Sequence, residues 1–194
     1  MVHKGSPVKS MRAFPDRELK WTQPELLKGY FELRCGDDRI GTLRWEKSFG
    51  SLATAEASEG RWTFERWGLW RIHVTVRESG SADTIALYES NWNGTTGSLQ
   101  YRGGQRIRWA SRGPKWTSLS GHSRWWWFSE NVQEVAGLSS DYRLMRSEGR
   151  VEVSVHGALL PELPLLVLLG WYLLTPAGLA PVVAAIERQT IRHL

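Results

Sequence analysis

Between residues 90 and 129 the chain carries no Asp or Glu, yet it holds Arg102, Arg106, Arg108, Arg112, Lys115 and Arg124. The whole protein has a formal charge of +5, from 25 Lys and Arg against 20 Asp and Glu, so the basic excess is confined to this window. Interleaved with the cations are eight aromatics: Trp92, Tyr101, Trp109, Trp116, Trp125, Trp126, Trp127 and Phe128. Such a stretch suits the binding of phosphate groups, on a membrane surface or in nucleic acid. Stacking against bases would additionally require outward-facing rings. Arg102, Arg106, Arg108, Arg112 and Lys115 are the candidate anion ligands. Trp125, Trp126 and Trp127 are the candidate surface aromatics, subject to one constraint. On a strand, alternate members of Trp125-Trp126-Trp127-Phe128 must face opposite sides.

Catalytic signals are absent from the sequence. It has no Gly-x-Ser-x-Gly elbow, no phosphate-cradling glycine loop and no histidine pair at metal-ligand spacing. Ser120-Gly121-His122-Ser123 sets hydroxyls beside an imidazole, but adjacency in sequence is not triad geometry, and a turn is expected there. Asp37, Asp38 and Asp141 also read as turn residues. Cys35, the single cysteine, alternates with Phe31 and Leu33 and reads as a core thiol. We therefore expect a binding protein without metal, cofactor or catalytic residues. One cysteine and a polar first fifteen residues point to a reducing, cytoplasmic setting.

These side chains must be positioned by strands. Residues 1–20 read as a loose basic lead-in and 21–194 as one domain. Thr22-Gln23-Pro24-Glu25 has capping-box spacing, predicting a short helical turn over 25–28. From about residue 30 to 156 the alternation of apolar with polar residues hardly stops. It is clearest in Trp70, Ile72, Val74 and Val76 against Arg71, His73, Thr75 and Arg77. Leu99 and Tyr101, the turn Gly103-Gly104, then Ile107 and Trp109 describe a hairpin that would bring Arg102, Arg106 and Arg108 together. Further segments are expected at 116–119, 123–128, 134–137, 142–145 and 151–155, with Ser147-Glu148-Gly149 as the last turn. Ten to twelve strands at hairpin spacing imply antiparallel pairing, since parallel strands need long crossovers. Gly41-Thr42-Leu43-Arg44-Trp45 echoes Gly97-Ser98-Leu99-Gln100-Tyr101, which leaves open a duplication of two halves.

After the strands comes Leu163-Pro164-Leu165-Leu166-Val167-Leu168-Leu169-Gly170-Trp171-Tyr172-Leu173-Leu174, apolar on every side. A helix of this kind must be surrounded by protein or by lipid. Residues 163–186 are uncharged and long enough for a membrane span, but Pro176, Gly178 and Pro181 interrupt them. The strands tip the balance. A sheet of so many half-dry strands closes around a lumen wider than its own side chains can fill, and a helix about 10–12 Å across fits it. The expected fold is mainly β: a closed antiparallel barrel of about twelve strands enclosing a hydrophobic helix over about 162–175, with a tail over 176–194. The alternative is a tail-anchored protein spanning the membrane at 163–186.

The strand series over 31–155, the echo at 41–45 and 97–101, and the helix directly after the last strand together resemble the tubby-like superfamily. That group comprises tubby C-terminal domains, phospholipid scramblases and LURP-one-related proteins. The resemblance implies a twelve-stranded barrel threaded by a hydrophobic helix, and it implies membrane-lipid binding. The calcium-binding and phosphoinositide motifs of other members have no counterpart here, so no functional residue carries over. The expected partners are an anionic membrane surface or a protein, ahead of nucleic acid.

Overall fold

The structure is a computed structural model that describes residues 10–11, 18–25, 28–46, 50–68, 71–92, 95–111, 122–143 and 146–175. The strands are β1 (Leu19–Thr22), β2 (Tyr30–Cys35), β3 (Asp38–Trp45), β4 (Leu52–Ala57), β5 (Gly60–Trp67) and β6 (His73–Glu78). They continue as β7 (Thr84–Ser90), β8 (Thr96–Tyr101), β9 (Arg106–Ser111), β10 (His122–Phe128), β11 (Glu134–Arg143) and β12 (Arg146–Val153). Two helices follow, α1 (Val155–Ala158) and α2 (Leu163–Leu174). Each strand pairs with its neighbours in sequence, and β1 pairs antiparallel with both β2 and β12, closing the barrel.

Alternation decides which side chains enter the lumen. Phe31, Leu33 and Cys35 of β2 are buried between half-exposed Tyr30, Glu32 and Arg34. Leu99 of β8 with Ile107 and Trp109 of β9 repeat the pattern. The filler is α2, in which only Leu173 escapes full burial. It touches β3, β4 and β5 on one side and β10 and β11 on the other, so protein and not lipid surrounds it. The wall facing it on one side is built from small residues, Gly41, Ala53 and Ala55, which leave space for the helix body. Trp171 stacks on Trp21 of β1 at 5.2 Å, and Tyr172 stacks on Trp45 of β3 at 4.5 Å. Two hydrogen bonds fix the helix along its axis: Trp127 Nε1 donates to the Leu166 carbonyl at 2.8 Å, and the Tyr172 hydroxyl donates to the Ser51 carbonyl at 2.5 Å. No helix among the described residues is long and apolar enough to cross a membrane. The remainder of the 163–186 stretch lies outside them.

Several expectations need correction. Ser147, Glu148 and Gly149 lie inside β12, opposite Tyr142, Asp141 and Ser140, so they are strand residues and not the last turn. Gly149 is there for close approach: a Cβ would sit 2.2 Å from the Trp171 ring and 2.5 Å from the Ser139 carbonyl. Residues 142–143 are accordingly the end of a ten-residue β11, and Asp141 is a strand residue. Val155 belongs to α1, whose N-cap Ser154 accepts from the Gly157 N–H at 2.9 Å. The stretch at 25–28 has one turn-type bond, from the Lys28 N–H to the Glu25 carbonyl. Leu19 and Lys20 belong to β1, and Met11 is buried in the core. The echo at 41–45 and 97–101 falls on β3 and β8. These strands are five steps apart in the meander, whereas two equal halves of a twelve-strand barrel would be six apart. Residues 116–119 lie outside the described residues.

Candidate functional site

The β8–β9 hairpin positions the basic candidates. Leu99, Ile107 and Trp109 are drawn inward by burial, which forces the residues between them onto the outer wall. Gln100 pairs with Arg106 and Ser98 with Arg108, while Arg102 begins the turn closed by Gly104 at φ 91°. Arg102, Arg106 and Arg108 are all exposed. Arg106 Nη2 reaches Gln100 Oε1 at 3.5 Å, a marginal bond, and the Arg108 guanidinium lies 5.2 Å from the centre of the Phe128 ring. One hairpin thus gathers three of the five candidate anion ligands. Arg112 and Lys115 lie outside the described residues.

Most other arginines on the wall differ from this trio in having a carboxylate partner; among the described residues Arg44, 5.0 Å from the centre of the Tyr30 ring, is an exception. Arg61 pairs with Glu56 at 3.1 Å, Arg77 with Glu65 at 2.8 Å, Arg124 with Glu152 at 3.2 Å and Arg150 with Glu18 at 3.1 Å. Among the described residues, Arg102, Arg106 and Arg108 have no carboxylate in ion-pair range. The nearest acid to engage the hairpin is Glu130, whose Oε1 accepts the Arg106 backbone N–H at 2.7 Å and so braces the strand without neutralising a guanidinium.

The tryptophan run alternates as the strand requires, but its rings are distributed unevenly. Trp127 is fully buried beside Trp109 at 4.6 Å and is therefore a core residue, not a surface aromatic. Trp125 shares its inward face, stacked on Trp109 at 5.4 Å, and is only half-buried. Trp126 faces outward and lies flat over Gly137 of β11, where a Cβ would be 2.6 Å from the ring. Phe128 also faces outward, yet the Arg108 guanidinium helps leave it buried. Among the described residues of this run, Trp126 is the one outward, partly exposed ring.

The sequence reading missed a different set of exposed apolar residues. Trp92 is 78% exposed in the β7–β8 connection, Trp67 is 51% exposed at the end of β5, and Val132, Val155 and Leu159 project at the opposite end. Nothing in periodicity distinguishes these from buried positions, because they sit in connections or at element ends.

No group of three or more potential metal ligands occurs among the described residues. Burial pushes the phenols of Tyr88, Tyr101 and Tyr172 well above their ordinary value, and the Glu162 charge adds to the effect at Tyr101. The Tyr101 hydroxyl and Glu162 Oε2 are both buried without a hydrogen-bond partner near the N-terminus of α2. Cys35 is a buried free thiol. His122 and Ser123 lie in β10, with His122 opposite Asp141, and residues 120–121 lie outside the described residues.

Comparison with known proteins finds no matching family model, no matching curated protein and no matching solved structure.

Proposed function

We propose that this protein is a non-catalytic, tubby-like barrel that binds the anionic phosphates of a membrane surface through Arg102, Arg106 and Arg108. The observation that carries this reading is the set of three exposed guanidiniums on one hairpin with no carboxylate partner among the described residues. An ion-paired arginine must give up a carboxylate to bind a phosphate, whereas Arg106 has only a marginal bond to Gln100 and Arg108 only the face of Phe128 to compete with. The closed barrel with its helix inside supports the tubby-like assignment. A lipid headgroup fits better than a nucleic acid base, because Trp127 is in the core and Phe128 is covered, which removes most of a stacking platform. The expected setting is cytoplasmic, where the membrane leaflet is anionic.

The test is sedimentation with phosphatidylcholine vesicles, with and without phosphatidylserine, at low and moderate salt. Each arginine near such a surface is worth about 1 kcal/mol, so replacing all three by Glu should weaken binding by about a hundredfold or more. Unchanged binding would overturn the proposal. So would a preference for a single-stranded oligonucleotide over the anionic vesicle, as nucleic acid would then be the partner.

A further inference from the structure

The rim of the barrel around the N-terminus of α2 divides into two halves of different chemistry. One half comprises the β2–β3, β4–β5 and β6–β7 turns and exposes Asp37, Glu59, Glu78 and Asp83. Nearby Arg61 and Arg77 are ion-paired to Glu56 and Glu65 on the strands, while Arg34, ion-paired to Glu32, also donates to the Asp37 carbonyl of the β2–β3 turn. The other half comprises the β8–β9 and β10–β11 turns and α1. It exposes Arg102 and Arg106, one acid, Glu130, and three aliphatic residues: Val132 at 60%, Val155 at 87% and Leu159 at 77%.

The pieces of this second half are physically joined. Glu130 of the β10–β11 turn holds the Arg106 N–H, and the Ser154 N–H donates to the Val135 carbonyl at 3.1 Å, fastening α1 to β11. Val155 and Leu159 are four residues apart and lie on one side of the α1 turn. Val132 has φ 62°, a left-handed conformation that is an outlier for a β-branched residue. Its turn is closed by Val132 N–H to the Ser129 carbonyl and Ser129 N–H to the Gln133 carbonyl, both at 2.9 Å. A strained turn that displays an aliphatic side chain to solvent is the kind of feature that accompanies function.

We infer that this half-rim is the face that enters the bilayer: Val132, Val155 and Leu159 dip among the headgroups while Arg102 and Arg106 meet lipid phosphate. The inference rests on the membrane reading above and adds the orientation and an apolar contribution. Three separate protrusions line no groove, so a rigid protein surface would need matching pits, whereas a fluid lipid interface closes around each of them. Charge sets the tilt. Repulsion of Asp37, Glu59, Glu78 and Asp83 from an anionic leaflet turns the barrel onto its other half-rim.

The experiment uses the full chain and the same two kinds of vesicle. A combined Val132→Asn, Val155→Ser and Leu159→Ser variant should lose about tenfold in vesicle binding at moderate salt, where the aliphatic contribution outlasts the screened charge. Its thermal midpoint should not fall, since all three sites are exposed and Asn tolerates the left-handed conformation. Trp92→Ser, at the other end of the barrel, should bind as the parent does. Unchanged binding by the aliphatic variant, with binding lost when Arg102, Arg106 and Arg108 become Glu, would overturn the inference and leave the charged reading standing. The reverse result would overturn the charged reading and keep the aliphatic face. A loss with Trp92→Ser as large as that of the aliphatic variant would place the docking end opposite and overturn the inference.

Discussion

The inner seam between α2 and the wall and the outer strip of β8–β10 are made by the same strands under different constraints. An inner residue such as Trp127 meets the helix as well as its strand neighbours: its indole N–H bonds the Leu166 carbonyl and its ring packs on Trp109 and Tyr88. An outer residue such as Arg108, one place away across the register, answers only to Ser98 and Phe128. Stability rests on the inner face, and the recognition proposed for the arginines on the outer face of the same sheet, so the two should separate under mutation. An inner variant that left stability alone, or an outer one that unfolded the chain, would break the comparison.

The largest effect is expected at Trp171, which fills the barrel between Trp21 and Phe31 and sits over Gly149. Trp171→Ala should cost about 3–5 kcal/mol in urea unfolding through the cavity it leaves. The alkaline limb sharpens the comparison next. The Tyr88 phenol ordinarily titrates near 10 but is pushed upward by burial. Below pH 10 both folded and unfolded chains keep it neutral, and its contribution is fully present. As pH rises above 10 the unfolded chain releases the proton first, so stability falls by about 1.4 kcal/mol per pH unit for each such tyrosine. Tyr88→Phe should make that slope shallower by one tyrosine's share, read from unfolding between pH 9 and about pH 11. The smallest effect belongs to the outer wall. Arg124 and Glu152 are both more than half exposed at 3.2 Å, so Glu152→Gln should change stability by less than about 0.5 kcal/mol. Raising salt should change it no further.

Most of the barrel was legible because burial on one face leaves a two-residue period, visible in β2, β6 and β9 without knowledge of any neighbour. β1 was not. Leu19-Lys20-Trp21-Thr22 is too short to show a period, and its place is set by pairing with β12, far along the chain. The misplaced final turn has a related cause. Ser147-Glu148-Gly149 has turn chemistry by composition, but the glycine answers the Trp171 ring, which only the folded chain brings there. At the candidate site the grouping of Arg102, Arg106 and Arg108 followed from the Gly103-Gly104 hairpin, whereas the burial of Trp127 needed the helix as a partner. Val132 and Leu159 gave no signal, since an exposed aliphatic residue in a turn looks like any other, and Val155 gave a misleading one, as the end of a strand over 151–155.

The sequence by itself determined most of the strands, their inward faces and the need for α2 to be surrounded, because alternation and an all-apolar helix are local properties of the chain. Tertiary structure alone decided how the ring closes and which arginines are neutralised. A window without Asp or Glu in sequence is not without them in space: the Arg124 guanidinium finds Glu152, whereas Glu130 takes only the Arg106 backbone N–H. Whether a guanidinium is free for phosphate depends on cross-strand neighbours, and register sets those only when the barrel has closed.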